Sequence, residues 1–254
     1  MFLERMKWPE IDALDRANVL VVCCIGALEQ HGLHLPMGTD YMIGSELLRR
    51  LEEQNPSQLL CLPALWLGCS DHHMGFAGTI TAPIQLIIQT IQHVASSIRS
   101  HGFQRMLFLN THGGNRASLS CSIQDLGRLF PDLTAVGATY WEVASAELEK
   151  LRASDFGGMG HACELETSLI LAIDDTLVDR SRTRPDGVMA KSCFTCADML
   201  HPPAVTVYKS ISDMSENGCV GDPTVASAEK GRQMFDVITD RLAYLCRDIL
   251  ANQL

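Results

Sequence analysis

Glu29, His31 and Asp40 bring a carboxylate, an imidazole and a second carboxylate close together, in Gly26-Ala27-Leu28-Glu29-Gln30-His31-Gly32 and the Thr39-Asp40 that follows. Oxygen and imidazole donors of this kind suit Zn²⁺, Mn²⁺ or Fe²⁺ rather than a thiolate-seeking ion. Glu29 and His31 are two apart, so extended backbone points both side chains the same way. Gly32, Pro36 and Gly38 then turn the chain, and Asp40 returns towards the same point. Taken alone, the cluster reads either as a metal site or as a polar loop around a hydrogen-bonded histidine.

Two more clusters carry similar chemistry. Asn110-Thr111-His112-Gly113-Gly114-Asn115 sets a histidine beside two glycines, which allow close backbone approach. His161-Ala162-Cys163-Glu164-Leu165-Glu166-Thr167-Ser168 follows the flexible Gly157-Gly158-Met159-Gly160 and leads into an apolar helix. A helix start favours carboxylates, so Glu164 and Glu166 each read as cap or as site. Ser70 and His73, in the loop from Gly68 to Phe76, are candidate substrate contacts, with a polar lid loop as the alternative. Trp141 either stacks on a flat substrate or simply packs. His34 reads as a loop residue, and His93, His101 and His201 belong to no constellation.

The elements that must position these residues alternate between strand and helix. Val19 to Ile25 is an unbroken apolar run, as expected of a strand buried on both faces. Leu59 to Leu67, Arg105 to Leu109 and Leu133 to Thr139 are further strand-like runs, and the polar clusters follow the ends of these strands, where open α/β sheets bind ligands. Helices are expected over Ser45 to Glu53, from Thr81 (with Pro83 in the first turn and Gly102 past the end), over Ala117 to Phe130, over Ala144 to Arg152 and over Ala226 to Leu250. In the last, Met234, Val237, Ile238, Leu242 and Leu245 share one side. The expected fold is a single α/β domain over residues 1–254, a mainly parallel sheet with helices on both faces. Val178 to Met214 has no periodicity and is expected to form a lid or a subunit contact.

In order along the chain, Glu29-Gln30-His31-Gly32 with Leu35-Pro36 and Thr39-Asp40, then Asn110 to Asn115, then His161-Ala162 with Glu166-Thr167-Ser168 resemble the signatures of the creatininase (creatinine amidohydrolase) family. Gly221-Asp222-Pro223 and Ala228-Glu229-Lys230-Gly231 are similar to that family's ending. The resemblance implies a creatininase-like α/β/α fold and a centre of two divalent ions. Glu29 and His112 would bind one ion, His31 the other, and Asp40 would bridge both. Creatinine-cleaving members carry a carboxylate two residues after the histidine matching His112, but Gly114 stands there in this chain. Glu166 is therefore expected as the remaining ligand, and creatinine itself is not the expected substrate. Such ions lower the pKa of bound water towards neutrality and polarise a carbonyl. His161 is expected to protonate the leaving nitrogen, an imidazole being able to titrate near the working pH.

The expected activity is a metal-dependent amidohydrolase acting on a small cyclic amide or a formamide, at a carbon–nitrogen bond other than a peptide bond. The alternatives are a family hydrolase that opens a cyclic ketone of sugar or inositol type, and a non-catalytic metal-binding assembly protein. The family's hexamers imply a homo-oligomer. A formal net charge of -10 argues against a nucleic-acid partner. No apolar run reaches membrane-span length and the start lacks a signal-peptide core, so no membrane partner and a cytoplasmic location are expected. Among ten cysteines, Cys23, Cys24, Cys61 and Cys121 read as small core residues. Cys193-Phe194-Thr195-Cys196 is a weak zinc signal, and Cys163 a minor candidate ligand.

Overall fold

A computed structural model describes residues 1–187, 194 and 198–253. Its centre is a four-stranded parallel sheet in the order β2-β1-β3-β4, built from β1 (Leu20–Ile25), β2 (Leu59–Cys61), β3 (Arg105–Asn110) and β4 (Thr134–Thr139). The helices are α1 (Trp8–Asp12), α2 (Thr39–Gln54), α3 (Ile84–Ser100), α4 (Arg116–Leu129), α5 (Tyr140–Val143), α6 (Ser145–Leu151), α7 (Glu164–Ile173) and α8 (Ala228–Leu250). A short antiparallel pair, β5 (Met159–His161) and β6 (Val220–Gly221), stands apart from the main sheet.

Alternation along β1 divides the core into two. Val21, Cys23 and Ile25 pack with Ile87, Ile91, Leu119 and Leu126 of α3 and α4, whereas Leu20, Val22 and Cys24 pack with residues of α2, α7 and α8. Both faces of the sheet are therefore covered, which is why β1 is apolar throughout. The result is the three-layer α/β arrangement expected from the sequence. No helix among the described residues is long and apolar enough to cross a membrane.

The strand order reverses between β1 and β3, the crevice where such sheets bind ligands. Ile25 lies opposite Asn110, so the chains leaving β1 and β3 emerge side by side. Asn115 ties this rim together: its amide donates to the Gly26 carbonyl at 2.9 Å, and its Oδ1 accepts from the Cys69 N–H at 2.9 Å.

Several expectations are corrected in detail. The run from Leu59 stops as a strand at Cys61, and beyond it the chain rejoins β1 only through an isolated bridge between Leu65 and Ile25. α2 starts at Thr39 rather than Ser45, placing Asp40 in a first helical turn instead of a returning loop. Gly158 to Gly160 are not a flexible lead-in, since Met159–His161 is a strand whose Gly160 lies too close to the Val220 carbonyl for any side chain. Cys121 is exposed, because it falls on the outer side of α4, while Cys23, Cys24 and Cys61 are buried. The C-x-x-C pair at 193 and 196 lies outside the described residues.

α7 and α8 cross so closely that a Cβ on Gly231 would overlap the Ser168 carbonyl. Gly231→Ala is expected to destabilise the protein by about 2 kcal/mol through overpacking, read as a lowered midpoint in chemical denaturation. An unchanged midpoint would show that the two helices separate freely.

Candidate metal centre

The three polar clusters meet at the carboxyl ends of β1 and β3. Glu29 and His31 come from the segment after β1, Asp40 from the first turn of α2, His112 from the residue but one after β3, His161 from β5 and Glu166 from the first turn of α7. All are buried. Ligand atoms of Glu29, Asp40 and His112 lie within 4.8 Å of one another, as do those of His31, Asp40 and Glu166, and those of Glu29, His31 and His161. Asp40 is common to the first two sets.

Hydrogen bonds assign the ring nitrogens. His31 Nδ1 lies 3.1 Å from the Glu29 carbonyl, which can only accept, so its proton sits there and the lone pair of Nε2 faces inward. His112 Nε2 likewise donates to the Cys69 carbonyl at 2.9 Å, leaving Nδ1 directed at Glu29 Oε1 and Asp40 Oδ2, each at 3.2 Å. His31 Nε2 lies 3.4 Å from Asp40 Oδ1 and 3.8 Å from Glu166 Oε1. Lone pairs therefore confront carboxylates, an arrangement that demands a cation between them. Glu29 Oε2, His31 Nε2 and Asp40 Oδ2 are buried without a hydrogen-bond partner, which the donor set of a divalent-ion site explains.

Without a metal, that demand falls on protons. Burial alone would lower the pKa of His31 and of His112, but Asp40 and Glu166 around the first, and Glu29 and Asp40 around the second, raise both well above the usual imidazole range. Burial would raise the Asp40 pKa, yet the two imidazoles hold it low. No Lys or Arg side chain among the described residues pairs with Glu29, Asp40 or Glu166.

Gly114 cannot carry a carboxylate here. A Cβ on it would overlap the Cys69 carbonyl and His112 Nε2, so a further acidic ligand has to come from another element. Glu166 combines the two roles left open for it: Oε2 accepts from the Cys163 N–H at 3.4 Å, capping α7, while Oε1 faces His31. Glu164 turns away and accepts from the Ala153 and Ser154 N–H groups and Lys230. The Cys163 thiol is buried beside Glu166, and burial above all raises its pKa well beyond the thiol range, so it stays protonated.

A cavity of about 240 Å³ opens onto the cluster, with Trp141, His72, His73 and Arg116 in its wall. The aperiodic segment before Met214 supplies Met199, Pro202, Pro203, Ile211 and Met214 to the same wall. Ser70 stands behind His112 instead, its Oγ 3.4 Å from Nε2, because the loop after Gly68 turns its side chain inward. His34 is a buried residue rather than a free loop side chain, with Nε2 2.9 Å from Thr167 Oγ1, and burial lowers its pKa to about 4.

Sequence reasoning overlooked three contributors. Gln30 donates its amide to His73 Nδ1 at 2.9 Å and to the Gly218 carbonyl at 3.1 Å, which leaves His73 Nε2 to donate to Glu29 Oε1 at 3.2 Å. Its place between Glu29 and His31 was the available signal. His72 and Arg116 carried none, since their position on the cavity depends on how two loops pack.

Known proteins resemble this chain over most of its length. The profile described as Creatininase: creatinine amidohydrolase matches residues 4–246. The mycofactocin precursor peptide peptidase of Mycobacterium tuberculosis is 29% identical over 235 residues, covering 89% of this chain and 84% of that one. The 3-dehydro-scyllo-inosose hydrolase of Thermotoga maritima is 27% identical over 268 residues, covering 98% and 84%. A creatininase variant of Zn-Zn type superposes with a TM-score of 0.80 at 25% identity, covering 97% of both chains.

Protons and metal compete for His31 Nε2 and His112 Nδ1. Since the carboxylates raise both metal-free pKa values, metal uptake releases protons and affinity falls as pH is lowered. Calorimetric titration of Zn²⁺ in buffers of different ionisation enthalpy is expected to show net proton release that grows towards acid pH. Uptake without proton release would mean that the imidazoles do not bind the ion.

Proposed function

Because the chain belongs to the creatininase family, we propose that its buried cluster binds two divalent ions and that the protein hydrolyses an amide carbon–nitrogen bond. The family match and the clustered ligand groups make it a creatininase-family hydrolase with a site able to hold metal. The observation that carries the finer reading is the pair of donor sets sharing Asp40. Glu29 and His112 would hold one ion, His31 and Glu166 the other, with Asp40 bridging. Zn²⁺, Mn²⁺ and Fe²⁺ all suit these ligands.

Charge supports a pair of ions. The three carboxylates would leave the cluster negative around a single divalent ion. With two it carries a surplus positive charge, which favours the negative charge that develops on an attacked carbonyl oxygen. When bound, such ions lower the pKa of water from ~15.7 towards ~7 and polarise the carbonyl.

His161 has the geometry to move the proton. Its Nε2–H donates to the Gln30 carbonyl at 2.7 Å, which directs Nδ1 towards Glu29 Oε1, 3.8 Å away. Burial, then the charge on His31, push its pKa down to about 3, and a cation beside His31 acts in the same sense. The ring therefore starts neutral rather than titrating near pH 7. Nδ1 can take a proton from the attacking water and return it to the leaving nitrogen. Trp141 and His73 border the space where the substrate would lie, while Ser70 would act through His112.

The cavity volume admits a small cyclic amide, a formamide or the end of a larger amide. Likeness to the scyllo-inosose hydrolase favours a second reading, opening of a cyclic ketone by carbon–carbon cleavage. We read residues 1–254 as one hydrolase domain and, from the family resemblance, as a subunit of a homo-oligomer.

Elemental analysis is expected to find close to two ions per chain, falling in Glu166→Gln. Asp40→Asn is expected to lose metal and hydrolysis together, and unchanged metal in that variant would refute the bridge. His161→Ala should keep its metal and lose about 100-fold or more in kcat on an amide substrate. Loss of metal in His161→Ala would make it a ligand through the set it forms with Glu29 and His31.

A further inference from the structure

Gln30 stands between Glu29 and His31 in the chain, and its side-chain amide is fully engaged. Oε1 accepts from the Gly32 N–H at 2.9 Å, while Nε2 donates to the Gly218 carbonyl at 3.1 Å and to His73 Nδ1 at 2.9 Å. The amide cannot be turned over, because the reverse orientation would set its oxygen against the Gly218 carbonyl and its N–H groups against the Gly32 N–H. Nε2 also comes within 3.3 Å of His161 Nε2, but both atoms carry protons and no hydrogen bond results. Gly218 is itself held, since its N–H donates to Ser215 Oγ at 2.8 Å and Asp186 Oδ2 accepts from Ser215 Oγ and from the Glu216 and Asn217 N–H groups. The direction of the amide is thus fixed from both ends.

The consequence falls on His73. Its Nδ1 accepts, so the single proton of the ring sits on Nε2, which donates to Glu29 Oε1 at 3.2 Å. His112 Nδ1 lies at the same 3.2 Å from the same oxygen, and both rings are buried. Distance and burial therefore do not tell the two histidines apart. The tautomer does: His112 turns a lone pair towards Glu29, because the Cys69 carbonyl takes its Nε2 proton, whereas His73 turns a proton. A ring nitrogen binds metal only through its lone pair.

Resting on the two-ion reading above, we infer that Gln30 is a positioning residue that keeps His73 out of the ligand set. A second imidazole at the ion held by Glu29 and His112 would fill one more coordination position. Closed coordination marks structural sites, whereas catalytic sites keep a position for water or substrate. An amide at position 30 makes His73 a hydrogen-bond donor to the ligand Glu29, and a carboxylate there would make His73 a ligand. Outer partners of this kind set the tautomer, orientation and strength of an imidazole ligand. His161 is indifferent to the choice, since its Nε2–H goes to the main-chain carbonyl of Gln30, which every residue type provides.

The test uses the full chain, metal-free and loaded with Zn²⁺ or Co²⁺. Gln30→Glu should move the His73 proton to Nδ1 and turn the Nε2 lone pair towards the metal. We expect its Zn²⁺ affinity to rise about tenfold or more. Azide, the probe for an open position, should alter the visible absorption of the Co²⁺-loaded wild type and leave that of Gln30→Glu unchanged. In ¹⁵N-histidine spectra of the Zn²⁺-loaded wild type, the ring signals that vanish in His73→Phe should show a proton on Nε2. In Gln30→Glu that nitrogen should carry metal instead. Gln30→Met removes the donor without adding charge and should raise affinity by less, which keeps the inference testable if Gln30→Glu fails to fold. Adding His73→Phe should cancel both gains. Zn²⁺ affinity that falls in both Gln30 variants, whether or not His73 is present, would reduce Gln30 to a structural role and overturn the inference. So would an undiminished azide response in Gln30→Glu, or metal on His73 Nε2 in the wild type. No uptake of metal by the wild type would instead overturn the two-ion reading itself.

Discussion

Three carboxylates buried together, with no lysine or arginine among the described residues to pair with them, impose one condition: a positive charge must be supplied. Glu29, Asp40 and Glu166 face the lone pairs of His31 and His112 because backbone carbonyls already hold the other ring nitrogen of each histidine. Protons can meet the condition, and divalent ions meet it with the ligand types they prefer. Buried charges left uncompensated would cost several kcal/mol each. The loops around the cluster are arranged to keep its carboxylates converged.

The sheet makes that convergence possible. Parallel strands β1 and β3 end at the same level, and the reversal of strand order between them opens a crevice flanked by the start of α2. Close backbone approach does the rest. The absent side chain of Gly114 lets the Cys69 carbonyl reach His112, and the absent side chain of Gly44 lets α2 lie against Cys24. Each glycine sets the position of a ligand-bearing segment rather than lending flexibility. Asn115 locks the segments after β1 and β3 to the loop that carries His73.

Amides and ketones are attacked by the same electrophilic logic, so the cluster alone does not select between them. Selection belongs to the wall. Trp141, Arg116 and the residues from Met199 to Met214 come from parts of the chain that share no motif. The relatives named as a precursor peptide peptidase and as a 3-dehydro-scyllo-inosose hydrolase differ in their named substrates.

The alternating elements were legible because burial on both faces forces β1 and the Met106 to Leu109 stretch of β3 to be apolar, and because amphipathic helices must turn one stripe inward. Glu29, His31, Asp40, His112, His161 and Glu166 were legible as candidates because oxygen and imidazole donors after strand ends or at a helix start are unusual without a use. The start of α2, the early stop of β2 and the strand at Met159–His161 were not, since each depends on a partner segment distant in sequence. Nor could the sequence tell that Glu164 turns to Lys230 while Glu166 turns to His31, as both lie in the same helical turn. Residue types thus determined which chemistry is available. Only tertiary packing decided which nitrogen of each histidine faces inward and which glutamate joins the cluster, because those choices are made by backbone carbonyls and neighbouring strands that local sequence does not encode.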